Sequence, residues 1–164
     1  MNATPRFQLP FILPGQAQKE LYHNEALARI DCLLHVAVEE GPTIAPPLAP
    51  IPGQSWIVAA PAAAEWAGKE AHIACWTEGG WRFVMPHPGT CVWNKATNLS
   101  LHYRDGSWSE GELPAAKLVV GGVQVVGGRQ PPILSPSGGT IIDVEARASI
   151  DALIATLMSH GLID

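Results

Sequence analysis

Glycine and proline punctuate this sequence so densely that long helices cannot dominate its fold. The chain contains 16 Gly and 15 Pro among 164 residues, and both residue types are destabilising inside helices and strands. Residues 16–40 lack both types, and so do residues 144–160. Hydrophobic residues make up 47% of the chain and charged residues 15%. That balance excludes a chain that is disordered throughout, because disordered chains are poor in apolar and rich in charged residues.

The two segments without Gly or Pro show helical periodicity. Residues 16–40 predict a first helix, which ends at Gly41-Pro42, a favoured C-terminal residue followed by a helix breaker. Its buried face is predicted at positions with helical spacing, which are Leu27, Ile30, Leu34 and Ala37. Asp143 is a good N-cap for a second helix over residues 144–160. The apolar face of that helix comprises Ile150, Leu153, Ile154 and Leu157.

A pattern of aromatic, X, acid, Gly, X and Trp occurs twice between these helices. It reads WTEGGW at residues 76–81 and YRDGSW at residues 103–108. An acid–Gly step is typical of tight β-hairpin turns, and here it would place two aromatic side chains opposite each other across the strands. A strand is also predicted over residues 54–59, and KLVVGGVQVVGG predicts a further short hairpin. The predicted fold class is therefore α+β, with an N-terminal helix, a small antiparallel unit of hairpins and a C-terminal helix, joined by extended Pro- and Gly-rich connectors.

These features divide the chain into an arm with its helix, a β-rich unit, a Gly- and Pro-rich strand and connector, and a C-terminal helix. The corresponding ranges are 1–41, 42–112, 113–142 and 143–164. Residues 1–15 are predicted to form an extended arm, because their three prolines bias the preceding residues away from helix. The possible assembly arm has five apolar side chains, which are Phe7, Leu9, Phe11, Ile12 and Leu13. Such an arm packs either on its own domain or on a neighbouring subunit, and the sequence leaves both open.

No catalytic, metal-binding or cofactor-binding motif is recognisable in the sequence. Neither Ser55 nor Ser137 lies in a G-x-S-x-G turn, and the six histidines lack the spacing of zinc ligands. Glu78 and Asp105 could form the carboxylate pair of a glycosidase, but their positions before Gly in hairpin turns explain them without chemistry. We therefore expect no enzymatic activity, no metal and no cofactor.

Charge, hydropathy and cysteine content limit the partners and the cellular compartment that we expect. The net charge is −5, and no cluster of Lys and Arg occurs, which argues against binding to nucleic acid or to anionic membranes. No apolar run reaches the roughly 18–20 residues of a membrane span, and the N-terminus is a poor signal peptide. Three cysteines without CxxC spacing fit free thiols in a reducing cytoplasm.

Six tryptophans are concentrated in and around the β-rich zone. We expect most of them to form its core, because Val, Ile and Phe are sparse there and Trp must supply the buried area. One or two rings are left to stack on a sugar. The candidate carbohydrate contacts are Trp81, Tyr103 and Trp108.

The opening LPFILPGQAQKELYHNEALARID resembles the start of a domain-of-unknown-function family found in prophages and gene transfer agents of alphaproteobacteria. The family's opening pattern is L-P-x-x-x-x-G-Q-A-Q-K-x-x-x-x-N-E-A-L-x-x-x-D. It is carried here by Leu9, Pro10, Gly15, Gln16, Ala17, Gln18, Lys19, Asn24, Glu25, Ala26, Leu27 and Asp31. The resemblance continues at PGQSWIVAA, at AEWAGKEAHIACWTEGGWRFVMP and in DVEARASIDALIATLMSHGLID, so it covers nearly the whole chain.

The resemblance implies a structural component of a phage-like particle, either a gene transfer agent or a prophage. Within such a particle it implies a head spike base or a fibre adaptor, which links the capsid to a host-recognition fibre. The expected partners are further copies of the chain and the capsid and spike or fibre proteins of the same particle, assembled in the bacterial cytoplasm. The low charge and the apolar arm are compatible with this, and the symmetry stays open. The alternative is a carbohydrate-binding module that recognises host capsule polysaccharide through exposed tryptophans.

Overall fold

The structure, a computed structural model, describes residues 3–12 and 19–164. It divides into two compact units. Unit 1 ends at Glu112, and unit 2 comprises Leu113–Asp164. The two helices and the sheets of hairpins confirm the predicted α+β class. Within the described residues, no helix is long and apolar enough to cross a membrane.

In the described residues, unit 1 combines one α-helix and a single 3₁₀ turn (Ala64–Trp66) with two small sheets. The helix α1 spans Lys19–Leu33, and the short strand β1 (Ala37–Val38) follows it. One sheet is antiparallel with the order β2-β3-β4, and its strands are β2 (Ser55–Ile57), β3 (Ile73–Thr77) and β4 (Gly80–Val84). The other sheet has the order β1-β5-β6-β7, and its remaining strands are β5 (Cys91–Asn94), β6 (Leu99–Arg104) and β7 (Ser107–Glu110). Strand β1 is parallel to β5, whereas the other neighbours are antiparallel.

Both predicted aromatic hairpins form with the expected cross-strand pairs. Trp76 pairs with Trp81, and Tyr103 pairs with Trp108. In the second turn Asp105 (φ 51°) and Gly106 (φ 80°) both have positive φ, as a type I′ turn requires. In the first turn Thr77 pairs with Gly80, so Glu78 and Gly79 form the loop, and the positive φ lies at Gly80 (φ 92°).

Two clusters of buried side chains lie on opposite faces of β3. Side chains alternate along a strand, so Ile73 and Cys75 enter one cluster and Ala74 enters the other. The first cluster comprises Cys32, Val36, Val38, Ile57, Ile73, Cys75, Val92 and Leu101. The second is built on Trp56, Val58, Trp66 and Ala74, with Trp76, Trp81 and Phe83 half-buried against it.

The predicted length and buried face of the first helix are wrong. The described helix ends at Leu33, not at residue 40, because the backbone takes a positive φ at His35 (φ 42°) and then enters β1. Ile30 and Leu34 are exposed, at 46% and 39%. The helix instead buries Asp31 and Cys32, since the face that meets the rest of unit 1 also receives the N-terminal arm. Residues 16–18 of the predicted helix lie outside the described residues.

The prolines predicted an extended N-terminal arm, and this prediction is wrong for residues 3–10. Residues 3–10 fold back on themselves, with a bridge between Ala3 and Pro10 and a 2.9 Å hydrogen bond from Thr4 N to the Leu9 carbonyl. Of the possible assembly residues, Phe7 is exposed, whereas the next three are half-buried, namely Leu9, Phe11 and Ile12. Leu13 lies outside the described residues.

Unit 2 contains the hairpin β8 (Leu118–Val120) and β9 (Val123–Val126), followed by the helix α2 (Val144–Ser159). The predicted N-cap is confirmed, since Asp143 accepts a hydrogen bond from Ala146 N at 2.8 Å. The helix ends in a Schellman motif, in which the Gly161 and Leu162 amides donate to the Met158 and Leu157 carbonyls. The predicted apolar face of α2 is partly covered. Ile154 is buried and Leu157 is half-buried, but Ile150 and Leu153 are 42% and 64% exposed.

Candidate functional site

Asp31 fastens the N-terminal arm to α1. Its carboxylate is 2% exposed and accepts three hydrogen bonds from the arm. Oδ1 accepts from Thr4 Oγ1 at 2.6 Å and from Phe7 N at 2.7 Å, and Oδ2 accepts from Arg6 N at 3.1 Å. Thr4 is itself fully buried. A buried charge is tolerated only when it is paired or hydrogen-bonded, so the arm is the polar complement of Asp31.

The Arg6 side chain satisfies the C-terminal end of the same helix. Its Nη1 donates to the carbonyls of Asp31 (2.8 Å) and Cys32 (3.1 Å), and its Nη2 donates to the carbonyl of His35 (2.9 Å). The last carbonyls of a helix lack intrahelical partners, and a cation is favoured there. The described part of the arm therefore packs on the chain's own helix.

A second set of hydrogen bonds holds the arm two turns earlier on α1. The Asn24 side chain accepts from Ile12 N at 2.9 Å and donates to the Ile12 carbonyl at 3.1 Å. Asn24 and Asp31 are seven residues apart, so they lie on one face of the helix. The sequence analysis predicted neither set of hydrogen bonds, because Asn24 and Asp31 served there only to identify the family's opening pattern. Their i, i+7 spacing is the signal that could have identified them.

A groove of about 670 Å³ lies between the arm, α1 and the turn after β3. Its lining includes the carboxylates of Glu20, Glu25 and Glu78, the guanidinium of Arg82 and the ring of Tyr22. The Oε2 atom of Glu20 is buried and has no partner among the described residues. The described residues contain no group of three or more His, Cys, Asp and Glu side chains that could hold a metal ion. The groove can therefore accept hydrogen bonds or positive charge, without the geometry of a metal centre.

Glu25 joins α1 to the hairpin at this groove. It bonds to Arg82 at 2.8 Å and to Arg29 at 3.1 Å. Burial raises the pKa of Glu25, but the hydrogen bonds and charges of Arg82 and Arg29 outweigh it, so the pKa lies below its ordinary value of 4.5. Glu78, which the sequence offered as one half of a catalytic pair, is exposed in the turn.

Four of the six tryptophans form a tight aromatic cluster inside unit 1. The Trp81 ring centroid lies 4.9 Å from Trp76, 5.2 Å from Trp66 and 5.7 Å from Trp56. Trp81 is half-buried, and its Nε1 donates to Glu65 at 3.0 Å. The edge-on geometry of these rings is the favourable one, which makes Trp81 the centre of a packed core.

The other two candidate carbohydrate contacts are also engaged within unit 1. Tyr103 is 5% exposed, so its ring has no free face for a sugar. Trp108 is half-buried against the first core cluster, and its Nε1 donates to the Ala71 carbonyl at 2.9 Å. Trp93, at 45%, is the exposed tryptophan of the chain.

Two of the three cysteines meet in the core. Cys32 and Cys75 are buried, and the Cys75 sulfur lies 3.3 Å from Ser55 Oγ. A hydrogen bond from the Cys32 thiol to Cys75 raises the pKa of Cys32 and lowers that of Cys75. Cys91 is exposed on β5, opposite His102 on β6 with a separation of 3.9 Å between Sγ and Nε2.

Unit 2 leaves nearly all of its apolar side chains in contact with solvent. Within residues 113–164 only Ile154 and Ile163 are buried. We call the exposed large hydrophobic side chains of unit 2 the unit 2 apolar surface. Its members are 41–91% exposed, and they are Leu113, Leu118, Val119, Val120, Val123, Val125, Val126, Ile133, Leu134, Ile141, Ile142, Val144, Ile150, Leu153, Met158 and Leu162. None of the sixteen is aromatic, whereas all six tryptophans belong to unit 1.

Comparison with protein families gives one match. The family described as protein of unknown function (DUF2793) matches residues 23–109. This range takes in most of α1, both aromatic hairpins and both core clusters of unit 1. Comparison with curated proteins gives no match.

Proposed function

The chain belongs to the DUF2793 family, and on that premise we propose that it is a structural component of a phage-like particle, either a gene transfer agent or a prophage. In this proposal it is a head spike base or a fibre adaptor, which links the capsid to a host-recognition fibre. Its partners are further copies of the chain and the capsid and fibre proteins of the same particle. Assembly takes place in the cytoplasm of the bacterium that makes the particle.

The unit 2 apolar surface is the observation that carries this proposal. A monomeric soluble protein rarely exposes contiguous apolar patches beyond a few hundred Å². Unit 1, in contrast, encloses two cores of its own. A chain with one closed unit and one unit open to partners is suited to connecting components, and less suited to acting alone on a small substrate.

The N-terminal arm is the weaker candidate for the assembly contact. Thr4, Arg6 and Ile12 are tied to α1 by hydrogen bonds, and Phe7 is the exposed apolar side chain of residues 3–12. We therefore place the main assembly contact in unit 2.

The carbohydrate-binding alternative has less support. Stacking on a sugar needs an open ring face, but Trp81 and Trp108 use their rings and their N–H groups inside unit 1. Binding of purified capsule polysaccharide that is lost in Trp81→Ala, with the fold intact, would restore it.

Particle composition tests the proposed function. Particles purified from a producing strain are expected to contain the chain, and particles from a deletion strain are expected to keep their capsids and lose the attached fibre in electron micrographs. Complementation with Leu153→Asp, which places a charge on the unit 2 apolar surface, should fail to restore the fibre. Leu48→Asp is the matched control, because Leu48 is fully exposed in unit 1, and it should restore it. Purified particles that lack the chain would contradict the proposal.

A further inference from the structure

We propose that unit 2 is a self-association module, in which copies of residues 113–164 cover one another's apolar surfaces in a closed oligomer. This inference takes its setting from the proposed function and names the partner of the unit 2 apolar surface. It is argued from the hairpin, the helix, the exposed area and the charges of unit 2 itself.

Both faces of the hairpin β8–β9 carry apolar side chains. Val120 pairs with Val123, and Leu118 pairs with Val126, while Val119 faces the other way opposite Gln124. Strands that read as continuous apolar runs are typical of sheets covered on both faces. An isolated two-stranded hairpin is marginally stable in water, and all six of its apolar side chains are at least 42% exposed. Both faces of this hairpin therefore need a cover.

The helix α2 supplies a surface of the same kind. The Asp143 cap and the Schellman motif determine where this helix begins and ends. Ile150 and Leu153 are three residues apart, lie on one face and are exposed. An amphipathic helix gains its stability mainly by burying such a face. A neighbouring copy offers both a hairpin and a helix to bury it.

The exposed area matches what a permanent homo-oligomer buries. At roughly 100 Å² per side chain, the sixteen side chains present on the order of 1,500 Å², within the roughly 1,000–2,500 Å² that each partner contributes to an obligate interface. A self-complementary contact of this size closes on itself and gives a defined oligomer. The interface is wholly aliphatic, as in permanent homo-oligomers that resemble a domain core cut in half.

The charges of unit 2 favour a copy of the same chain over a charged partner. Residues 113–164 contain three basic and four acidic residues, so neighbouring copies repel each other little. Arg129 is bridged to Asp164 at 3.0 Å, Arg147 donates to the Pro136 and Gly138 carbonyls, and Asp143 caps α2. These charges are used inside the unit, which leaves no strong field to attract a basic or an acidic partner.

The mass of the full chain in solution tests this proposal. Light scattering should give a discrete mass of at least twice the 17.5 kDa of one chain, unchanged on dilution through the micromolar range. The double variant Val120→Glu/Val123→Lys replaces an apolar cross-strand pair by an ion pair, so it keeps the hairpin pairing and removes its apolar character. Leu153→Lys replaces an apolar side chain of α2 by a charged one, with little change in helix propensity. Both variants should have the mass of a monomer.

Leu48→Lys in unit 1 is the control and should keep the oligomer mass. Tryptophan fluorescence should be the same in all variants, because every tryptophan reports on unit 1. A monomeric natural chain, variants that keep the natural mass, or a mass that grows without limit with concentration would each overturn closed self-association. A natural chain that is monomeric but enters particles overturns self-association alone. An oligomer that is absent from purified particles overturns the proposed function alone.

Discussion

Replacing Asp31 with Ala should be among the most damaging single changes in unit 1. The substitution removes the acceptor of three hydrogen bonds and leaves the Thr4 hydroxyl and the Phe7 amide facing an apolar side chain. It also loosens Arg6, whose backbone amide bonds to Asp31 and whose side chain satisfies the end of α1. The loss therefore spreads from one carboxylate to the whole contact between arm and helix.

The magnitude follows from the number and burial of these contacts. A hydrogen bond to a charged group contributes about 1.5–3 kcal/mol, and an unsatisfied buried group costs about 1–3 kcal/mol. The contacts share one acceptor, so they are not additive, and we expect a loss of about 3–5 kcal/mol in the free energy of unfolding, the range found when a buried pair is broken. Asp31→Asn keeps Oδ1 for Thr4 and Phe7 but turns an amide donor toward Arg6 N, so its loss should be smaller, at about 1–3 kcal/mol.

Equilibrium unfolding in urea, followed by tryptophan fluorescence, measures this loss, because all six tryptophans lie in unit 1. The matched control is Glu40→Ala, an exposed carboxylate in the same unit, which should change the free energy of unfolding by less than about 0.5 kcal/mol. The reasoning is refuted if Asp31→Ala is as mild as the control, or if the Asn variant is the more damaging of the two.

Three further changes test other parts of unit 1. Glu25→Gln should lower the free energy of unfolding by up to about 1 kcal/mol at pH 7, the range of solvent-screened ion pairs; because the pKa of Glu25 is lowered in the folded state, urea titrations should show the difference vanishing as the pH falls through and below 4.5. A maleimide should modify Cys91 in the folded chain but reach Cys32 and Cys75 only in urea, since those two are buried, and mass spectrometry of tryptic peptides reports which thiol reacts; fast labelling of all three in the native state would contradict the described core. Gly106→Ala should cost about 1 kcal/mol or more in thermal unfolding, because Gly106 has a φ of 80° in open space, and an unchanged midpoint would contradict the turn.

The sequence predicted best where local signals decide the structure. The hairpins follow from an acid–Gly step between aromatics, and α2 follows from a cap at Asp143 and a Gly after its last turn. Such signals act within a few residues and need no knowledge of the rest of the chain. The end of α1 was missed because nothing before Gly41 breaks a helix by composition, and the deciding event is a positive φ at His35. The groove was not predicted because it is formed by three segments that are distant in sequence.

Burial on α1 was predicted poorly, because it depends on a neighbouring segment that periodicity cannot identify. On α1 the partner is the arm, so the buried face carries the polar Asn24 and Asp31 contacts while Ile30 stays exposed. On α2 the apolar face has the expected spacing, yet Leu153 is 64% exposed within its own unit. Helical spacing tells which side chains share a face, whereas burial depends on what covers that face. An arm of the same chain covers α1, and we infer that neighbouring copies of the chain cover α2.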